Sequence, residues 1–161
     1  MDRLWSPWRY QYVSRAEPVA GCVFCNKPLD DDESALMLFR GTHNFVLLNL
    51  FPYTTGHLMV VPYEHVALLE ELSEPAAIEM MQLTRVAVRK LRQVYHPEGL
   101  NLGMNQGACA GAGIAQHLHM HVLPRWTGDA NFMTTIGETR VLPEDLSATW
   151  KRLAEAFRQT D

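Results

Sequence analysis

Cysteine is scarce in this chain, with three among 161 residues. A small odd number does not make a disulfide framework, and a reduced, cytoplasmic setting is the simplest expectation. A basic excess is missing too. Fourteen Lys and Arg stand against 18 Asp and Glu, for a formal net charge of −4. That speaks against a general nucleic-acid or acidic-membrane binder, since both need a basic face. A small anionic ligand is still admissible, because one local site can be positive on an acidic protein. Long apolar runs are also lacking. No window approaches a membrane span, and the opening "MDRLWSPWRYQYV" has no apolar core of signal-peptide length. No repeat and no low-complexity linker divides the chain.

What is present is an ordinary globular composition, 47% hydrophobic and 20% charged, in a chain long enough for one domain with a real core. Residues 1–161 read as a single domain, with an N-terminal arm over 1–32, a core over 33–142 and a C-terminal helix over 143–161. The arm's "LWSPWRYQY" carries Trp5, Trp8, Tyr10 and Tyr12, aromatic surface expected to pack on the body or on a second subunit. Strand-like runs follow at 35–40, 45–51 and 57–62, separated by the breakers "GTHN" and "PYTTG", which predicts an antiparallel meander. From Ser73 to about Tyr95 the pattern is helical, with Pro75 in the first turn and "PEG" ending the run. Ile78, Met81, Val88, Leu91 and Tyr95 mark its expected apolar stripe. Then come a strand at 100–105, the loop "QGACAGAGIA", a histidine-rich strand to Leu123, and a last helix from near Pro143 with Leu146, Trp150, Leu153 and Phe157 on one face. The fold class is α+β with an antiparallel sheet.

The run "QHLHMHVLPRW" holds three of the seven histidines, His117, His119 and His121, alternating with Leu118, Met120 and Val122. On a strand, residues two apart share a face, so the imidazoles line up while the apolar residues turn to the core. A helix would scatter them. Pro124 is expected to end the strand. Three uses of such a row compete: an exposed polar face, a metal chelate, or chemistry on a phosphate. In the last, one imidazole attacks phosphorus without prior deprotonation and a neighbour assists the leaving oxygen. The preceding "NQGACAGAG" contains glycines that let backbone N–H groups approach an anion, which puts phosphate chemistry ahead.

"GCVFC" gives Cys22-x-x-Cys25, a zinc-type spacing, although a closed site needs four ligands and no second pair exists. The alternative is a reduced pair packing the arm. Cys109 reads as a small residue filling the glycine loop. His43 and His96 read as solvent-facing or capping residues, and "LDDDE" at 29–33 as a solvated turn.

"HLHMHVL" resembles the signature of the histidine-triad (HIT) family of nucleotide hydrolases and transferases. "NLFPYTTGHLMVVPYEHV" is similar to the family's Gly-His block followed by Pro-x-x-His. The flanks "LWSPWR" and "PRWTGDANFMTTIG" resemble its bacterial diadenosine tetraphosphate phosphorylase branch. The resemblance runs from Leu4 to about Pro143. It implies a five-stranded antiparallel sheet with a long helix, paired into a homodimer, and a two-step reaction through a nucleotidyl-histidine. On this resemblance His119 is the nucleophile and His121 helps the leaving group. His57 stands beside the site, Asn49 contacts the ribose, and Gln106 orients the reacting phosphate. Asn105 matches the loop Asn of the phosphorylase branch. At Ala112-Gly113-Ile114 the chain departs from the Gly-Gln-Ser or Gly-Gln-Thr of many members and from the phosphorylases' Gly-Ser, so Gly113 stands where a polar side chain is common, and phosphate and water are both open as acceptor. By position, Cys22 and Cys25 would join His65 and His117 in a structural zinc site. No catalytic metal is required, and Mg²⁺ would enter only with the substrate. A HIT-like nucleotide binder with little turnover, and a hydrolase of small adenylylated substrates such as phosphoramidates, are the alternatives.

Overall fold

The computed structural model describes residues 21–136 and 142–159. The aromatic run containing Trp5, Trp8, Tyr10 and Tyr12 lies outside them. Five strands form one antiparallel sheet: β1 (Met37–Arg40), β2 (Asn44–Leu48), β3 (Leu58–Pro62), β4 (Gly99–Gly103) and β5 (Met120–Arg125). Their order across the sheet is β1-β2-β3-β5-β4, so the expected meander accounts for β1 to β3, and β5 then inserts between β3 and β4. Helices are α1 (Val23–Asn26), α2 (Asp32–Ala35), α3 (Glu74–Tyr95), α4 (Phe132–Thr135) and α5 (Leu146–Arg158). No helix among the described residues is long and apolar enough to cross a membrane.

The helix α3 covers one sheet face and α5 packs beside it, against α3 and β1. Val46, Leu48, Leu58, Val60, Met120 and Val122 point into this layer, meeting Met80, Leu83, Ala87 and Leu91 of α3 and Trp150, Leu153 and Phe157 of α5. The alternate residues Phe45, Leu47, Met59 and Val61 face the other way, where Phe24, Ala35 and Met37 cover them. Strand alternation thus assigns a helix-backed face and a second face that carries the site.

Several boundaries and faces differ from those read in the sequence. The second strand stops at Leu48 because Asn49 to Gly56 turn the chain toward β3. The last helix starts three residues after Pro143, where Asp145 caps it by accepting from Ala148 N at 2.9 Å. On α3 the buried stripe is Ala76, Met80, Leu83, Thr84, Ala87 and Leu91, while Ile78 and Met81 are each 53% exposed. Small residues at 76, 84 and 87 let the helix approach the sheet closely, and their weak hydropathy hid that face. Pro124 continues β5, opposite Leu100. β3 pairs with β5 only as far as Val122, so the proline falls where the strand has one neighbour. His117 and His119 precede β5, and only His121 lies within it.

The acidic turn is a cap: Asp31 accepts from Ser34 N at 3.0 Å to start α2, and Asp32 pairs with Arg40 at 2.9 Å. His96 is the left-handed C-cap of α3, with φ 46°. At the β1–β2 turn Glu79 gathers Thr42, His43 and Asn44 N–H groups at 2.7–2.8 Å and Asn44 Nδ2 at 3.0 Å.

Candidate active site

The three histidines have three different settings. His117 donates its Nε2–H to the Pro62 carbonyl at 2.9 Å, which leaves Nδ1 unprotonated in the neutral ring. That nitrogen lies 3.3 Å from Cys22 Sγ, 3.7 Å from Cys25 Sγ and 3.3 Å from His65 Nδ1, and Cys25 Sγ is 3.3 Å from His65 Nδ1. All four donor atoms fall within 4.8 Å of one another. A tetrahedral zinc with ordinary Zn–S and Zn–N bonds holds its donors roughly 3.3–3.8 Å apart, so the cluster fits that ion. The short helix α1 makes this possible, because Cys22 at its N-cap and Cys25 three residues on lie on one side of a turn. The Pro62 carbonyl supplies the outer partner that fixes the ring for ligation. Burial, then the neighbouring Cys22 thiol, pushes the Cys25 thiol up, so a cation entering here would displace protons.

His119 is 5% exposed. Its Nδ1–H is donated to the His117 carbonyl at 2.8 Å, so the remaining lone pair is on Nε2, which makes no hydrogen bond among the described residues. Burial pushes its pKa down and the bond to the carbonyl only partly offsets this. The ring is therefore neutral near pH 7, with a nucleophilic nitrogen presented.

His121 sits opposite Met59 of β3 and Gly103 of β4. At Gly103 an added Cβ would meet nothing within 4 Å, so the β4 side of the imidazole is open. The His121 ring lies 4.7 Å from that of His119, nearly edge-on at 73°. Burial first, and the adjoining His119 second, push its pKa down to about 4. Behind it stands His57, fully buried, with Nε2 at 2.8 Å from His121 Nδ1. The other nitrogen of His57 accepts from Tyr53 N at 3.2 Å and faces Asn49 Nδ2 at 3.3 Å. Two donors on Nδ1 put the His57 proton on Nε2. That proton is given to His121 Nδ1, which leaves the neutral His121 carrying its own proton on Nε2. The result is a directed row, backbone N–H, His57, His121, that ends in the His121 Nε2–H, with the His119 ring 4.7 Å from that of His121.

Asn49 holds this row, with Oδ1 accepting from Phe51 N at 3.0 Å. Tyr53, to which the sequence pattern gave no role, sets its ring 4.8 Å from that of His57 at a 43° tilt and stacks at 6.1 Å from that of His121. Its place inside "PYTTGH", four residues before His57, was the available signal. Phe24 was passed over as well; its ring lies 5.4 Å from His117 and 5.0 Å from His119. Among the described residues no hydrogen bond ties Asn105, Gln106 or Gly113 to the triad. Gln106 Oε1 accepts from Leu69 N at 2.8 Å, Asn105 is half-buried, and Gly113 is exposed. The glycine loop closes on itself, with Ala110 and Ala112 N–H groups on the Gly107 carbonyl and Gly111 N–H on that of Ala108. Arg125 is held by Asp129 at 2.6 and 2.8 Å and by Asn101 at 2.7 Å. Beyond Tyr53 a cavity of about 740 Å³ is bordered by Thr55, Tyr95, Arg125, Trp126 and Asn131.

The family model of the HIT domain matches residues 32–128, more than half of the chain. The chain belongs to the HIT family. A protein of Mycobacterium tuberculosis called AP-4-A phosphorylase is 43% identical over 162 residues, covering 96% of this chain and 83% of that one. Protein hit of Bacillus subtilis is 30% identical, over 84% of this chain and 96% of the relative. Among solved structures, a Zn-bound histidine triad family protein from Mycobacterium smegmatis superposes with a TM-score of 0.69 at 24% identity, covering 85% of this chain and 93% of its own. Plasmodium falciparum diadenosine triphosphate hydrolase superposes with a TM-score of 0.61 at 13% identity, covering 79% and 76%. At those identities the structural likenesses establish the fold, the five-stranded antiparallel HIT architecture.

Proposed function

We propose that this protein cleaves dinucleoside polyphosphates such as diadenosine tetraphosphate through a nucleotidyl-His119 intermediate. His119 Nε2 attacks an α-phosphorus, the P–N bond forms, and the bond from that phosphorus to the bridging oxygen breaks. His121 Nε2–H meets the departing oxygen and stabilises its charge. An oxygen of inorganic phosphate or of water then attacks the same phosphorus and returns the electron pair to His119. The observation that carries this reading is the hydrogen-bond row from Tyr53 N through His57 to His121, beside the His119 ring held by the His117 carbonyl; it favours a free lone pair on His119 Nε2 and an N–H on His121 Nε2, on buried imidazoles. The 43% identity to a protein called AP-4-A phosphorylase supports the substrate class.

In this reading His57 positions His121 from behind. Asn49 turns its remaining amide hydrogen to the ribose, and Asn105, Gln106 and Gly113 border the phosphates. Zinc held by Cys22, Cys25, His65 and His117 ties the start of the described chain to the sheet, a structural role. The chain acts as a homodimer in the cytoplasm, and Mg²⁺ arrives only as the counter-ion of the polyphosphate.

Product analysis tests the proposal. Diadenosine tetraphosphate is incubated with the purified protein with and without inorganic phosphate. ADP and ATP appearing only with phosphate identify phosphorolysis, whereas AMP and ATP in both mixtures identify hydrolysis. No cleavage in either refutes the dinucleotide reading and favours small adenylylated substrates. The adenosine 5′-monophosphoramidase of Schizosaccharomyces pombe, 25% identical over 85% of this chain, makes those the next class to try.

A further inference from the structure

The two cysteines and the reacting histidine are joined in two ways. The first runs through His117, whose ring faces the sulfurs while its backbone carbonyl holds His119 Nδ1–H at 2.8 Å. One residue therefore serves the metal cluster at one end and the nucleophile's tautomer at the other. The second runs through Phe24, the residue just before Cys25 in the turn that carries both sulfurs. Its ring leaves the turn, is only 3% exposed, and lies 5.0 Å from the His119 ring at a 48° tilt. It also meets His117 edge-on at 5.4 Å and 65°.

A single hydrogen bond at Nδ1 is a pivot. It fixes which nitrogen carries the proton, but it does not stop the imidazole from tilting and carrying Nε2 off the line of attack. Two ring neighbours restrict that tilt, His121 at 4.7 Å and Phe24 at 5.0 Å. Phe24 itself has little freedom, since it packs in the cluster of Met37, Phe45, Leu47, Met59 and Val61. Its backbone is fixed by the turn in which Asn26 N–H returns to the Cys22 carbonyl at 3.1 Å. A cation gripped by the two sulfurs would lock that turn at both ends.

We propose that Phe24 is a positioning residue for His119, and that the Cys22–Cys25 turn with its zinc is thereby part of the reacting centre and more than a staple of the fold. The inference rests on the proposed role of His119 as nucleophile. It adds that the turn carrying both sulfurs reaches the aim of Nε2 through an aromatic ring.

The test compares Phe24→Leu, which keeps apolar bulk, with Phe24→Tyr, which keeps the ring, in the zinc-loaded full chain. Zinc content and melting temperature report on the turn. Long-range ¹H–¹⁵N spectra of the imidazoles report the His119 tautomer and ring environment without any substrate. Steady-state and single-turnover cleavage of diadenosine tetraphosphate report on attack. Phe24→Leu is expected to keep its zinc and a KM within about twofold of wild type while kcat falls roughly ten- to a hundredfold, the scale of a misaimed reacting group. Its His119 ring resonances should shift while the Nδ1–H tautomer is kept, and Phe24→Tyr should recover most of the lost rate. Phe24→Leu with wild-type His119 spectra and near wild-type kcat would overturn the inference. So would a rate loss that merely follows loss of zinc. If Phe24→Leu fails to fold, Phe24→Met takes its place under the same criteria. If wild type does not cleave this substrate, it is the reading of function that fails, and the spectra still decide the role of Phe24.

Discussion

His57→Leu is the perturbation that most directly probes the proton row. The residue is fully buried, and it gives His121 Nδ1 its donor at 2.8 Å while accepting from Tyr53 N at 3.2 Å. Leucine fills comparable space and offers neither group. His121 Nδ1 is then left without its partner in a buried setting, a penalty of about 1–3 kcal/mol, with a smaller one at Tyr53 and Asn49, which are half-buried and can reach water. The expected stability loss is about 2–4 kcal/mol, read from urea unfolding. The catalytic loss is separate. With no donor on Nδ1, His121 no longer has its proton directed to Nε2, and turnover should fall by roughly 10²–10⁴, the usual worth of a placed acid or base. Because His57 acts only through His121, the two changes must not multiply. In a His121→Ala background, His57→Leu should cost less than about threefold in single-turnover rate. A single variant that turns over like wild type, or a double variant whose losses multiply, refutes the relay.

Three further outcomes are expected. His121, with its pKa pushed down to about 4, is neutral in both states above its ordinary value of ~6.5. As pH falls below that value the unfolded chain takes the proton first, so stability declines down to about pH 4, by about 3 kcal/mol in all. Urea midpoints measured between pH 7 and 4 should flatten in His121→Leu, and an unchanged slope would count against the burial argument. Cys25→Ser should abolish bound zinc by metal analysis and lower the melting temperature by roughly 5–10 °C; metal-free wild type from zinc-supplemented expression would refute the cluster's role. For Glu79, burial works to raise the carboxyl's pKa, but the hydrogen bonds from Asn44 and the turn's N–H groups outweigh it and the net shift is downward. Glu79→Ala leaves those donors unpaired and should cost about 3 kcal/mol by urea unfolding, with zinc content unchanged.

Much of the site was legible as pattern. The alternation of His with Leu, Met and Val predicted that the apolar partners face a core, and Leu118, Met120 and Val122 are all buried there. The Cys-x-x-Cys spacing suggested a ligand pair, and the family resemblance matched His65 and His117 to it; the four donors do converge. Other features were hidden because they depend on contacts far apart in the chain. Equal spacing made the three histidines look alike, yet His117 turns to the sulfurs because Pro62 takes its other nitrogen. The resemblance put His57 beside the site and Asn49 at the ribose, and only the fold shows that the turn before β3 brings the two together and places His57 behind His121.

Periodicity and spacing are local properties, and they sufficed for the strands, the long helix, the sheet faces and the residue types that carry the chemistry. They placed Val88, Leu91 and Tyr95 of α3 against the core but misplaced Ile78 and Met81, because the N-terminal part of the buried stripe is built on the small Ala76 with Met80, and Thr84 and Ala87 continue it. The proton position on each imidazole was decided only by tertiary structure. A neutral ring carries one proton, and which nitrogen holds it depends on the partner that folding brings to the other: a carbonyl for His117 and His119, and a second imidazole for His121.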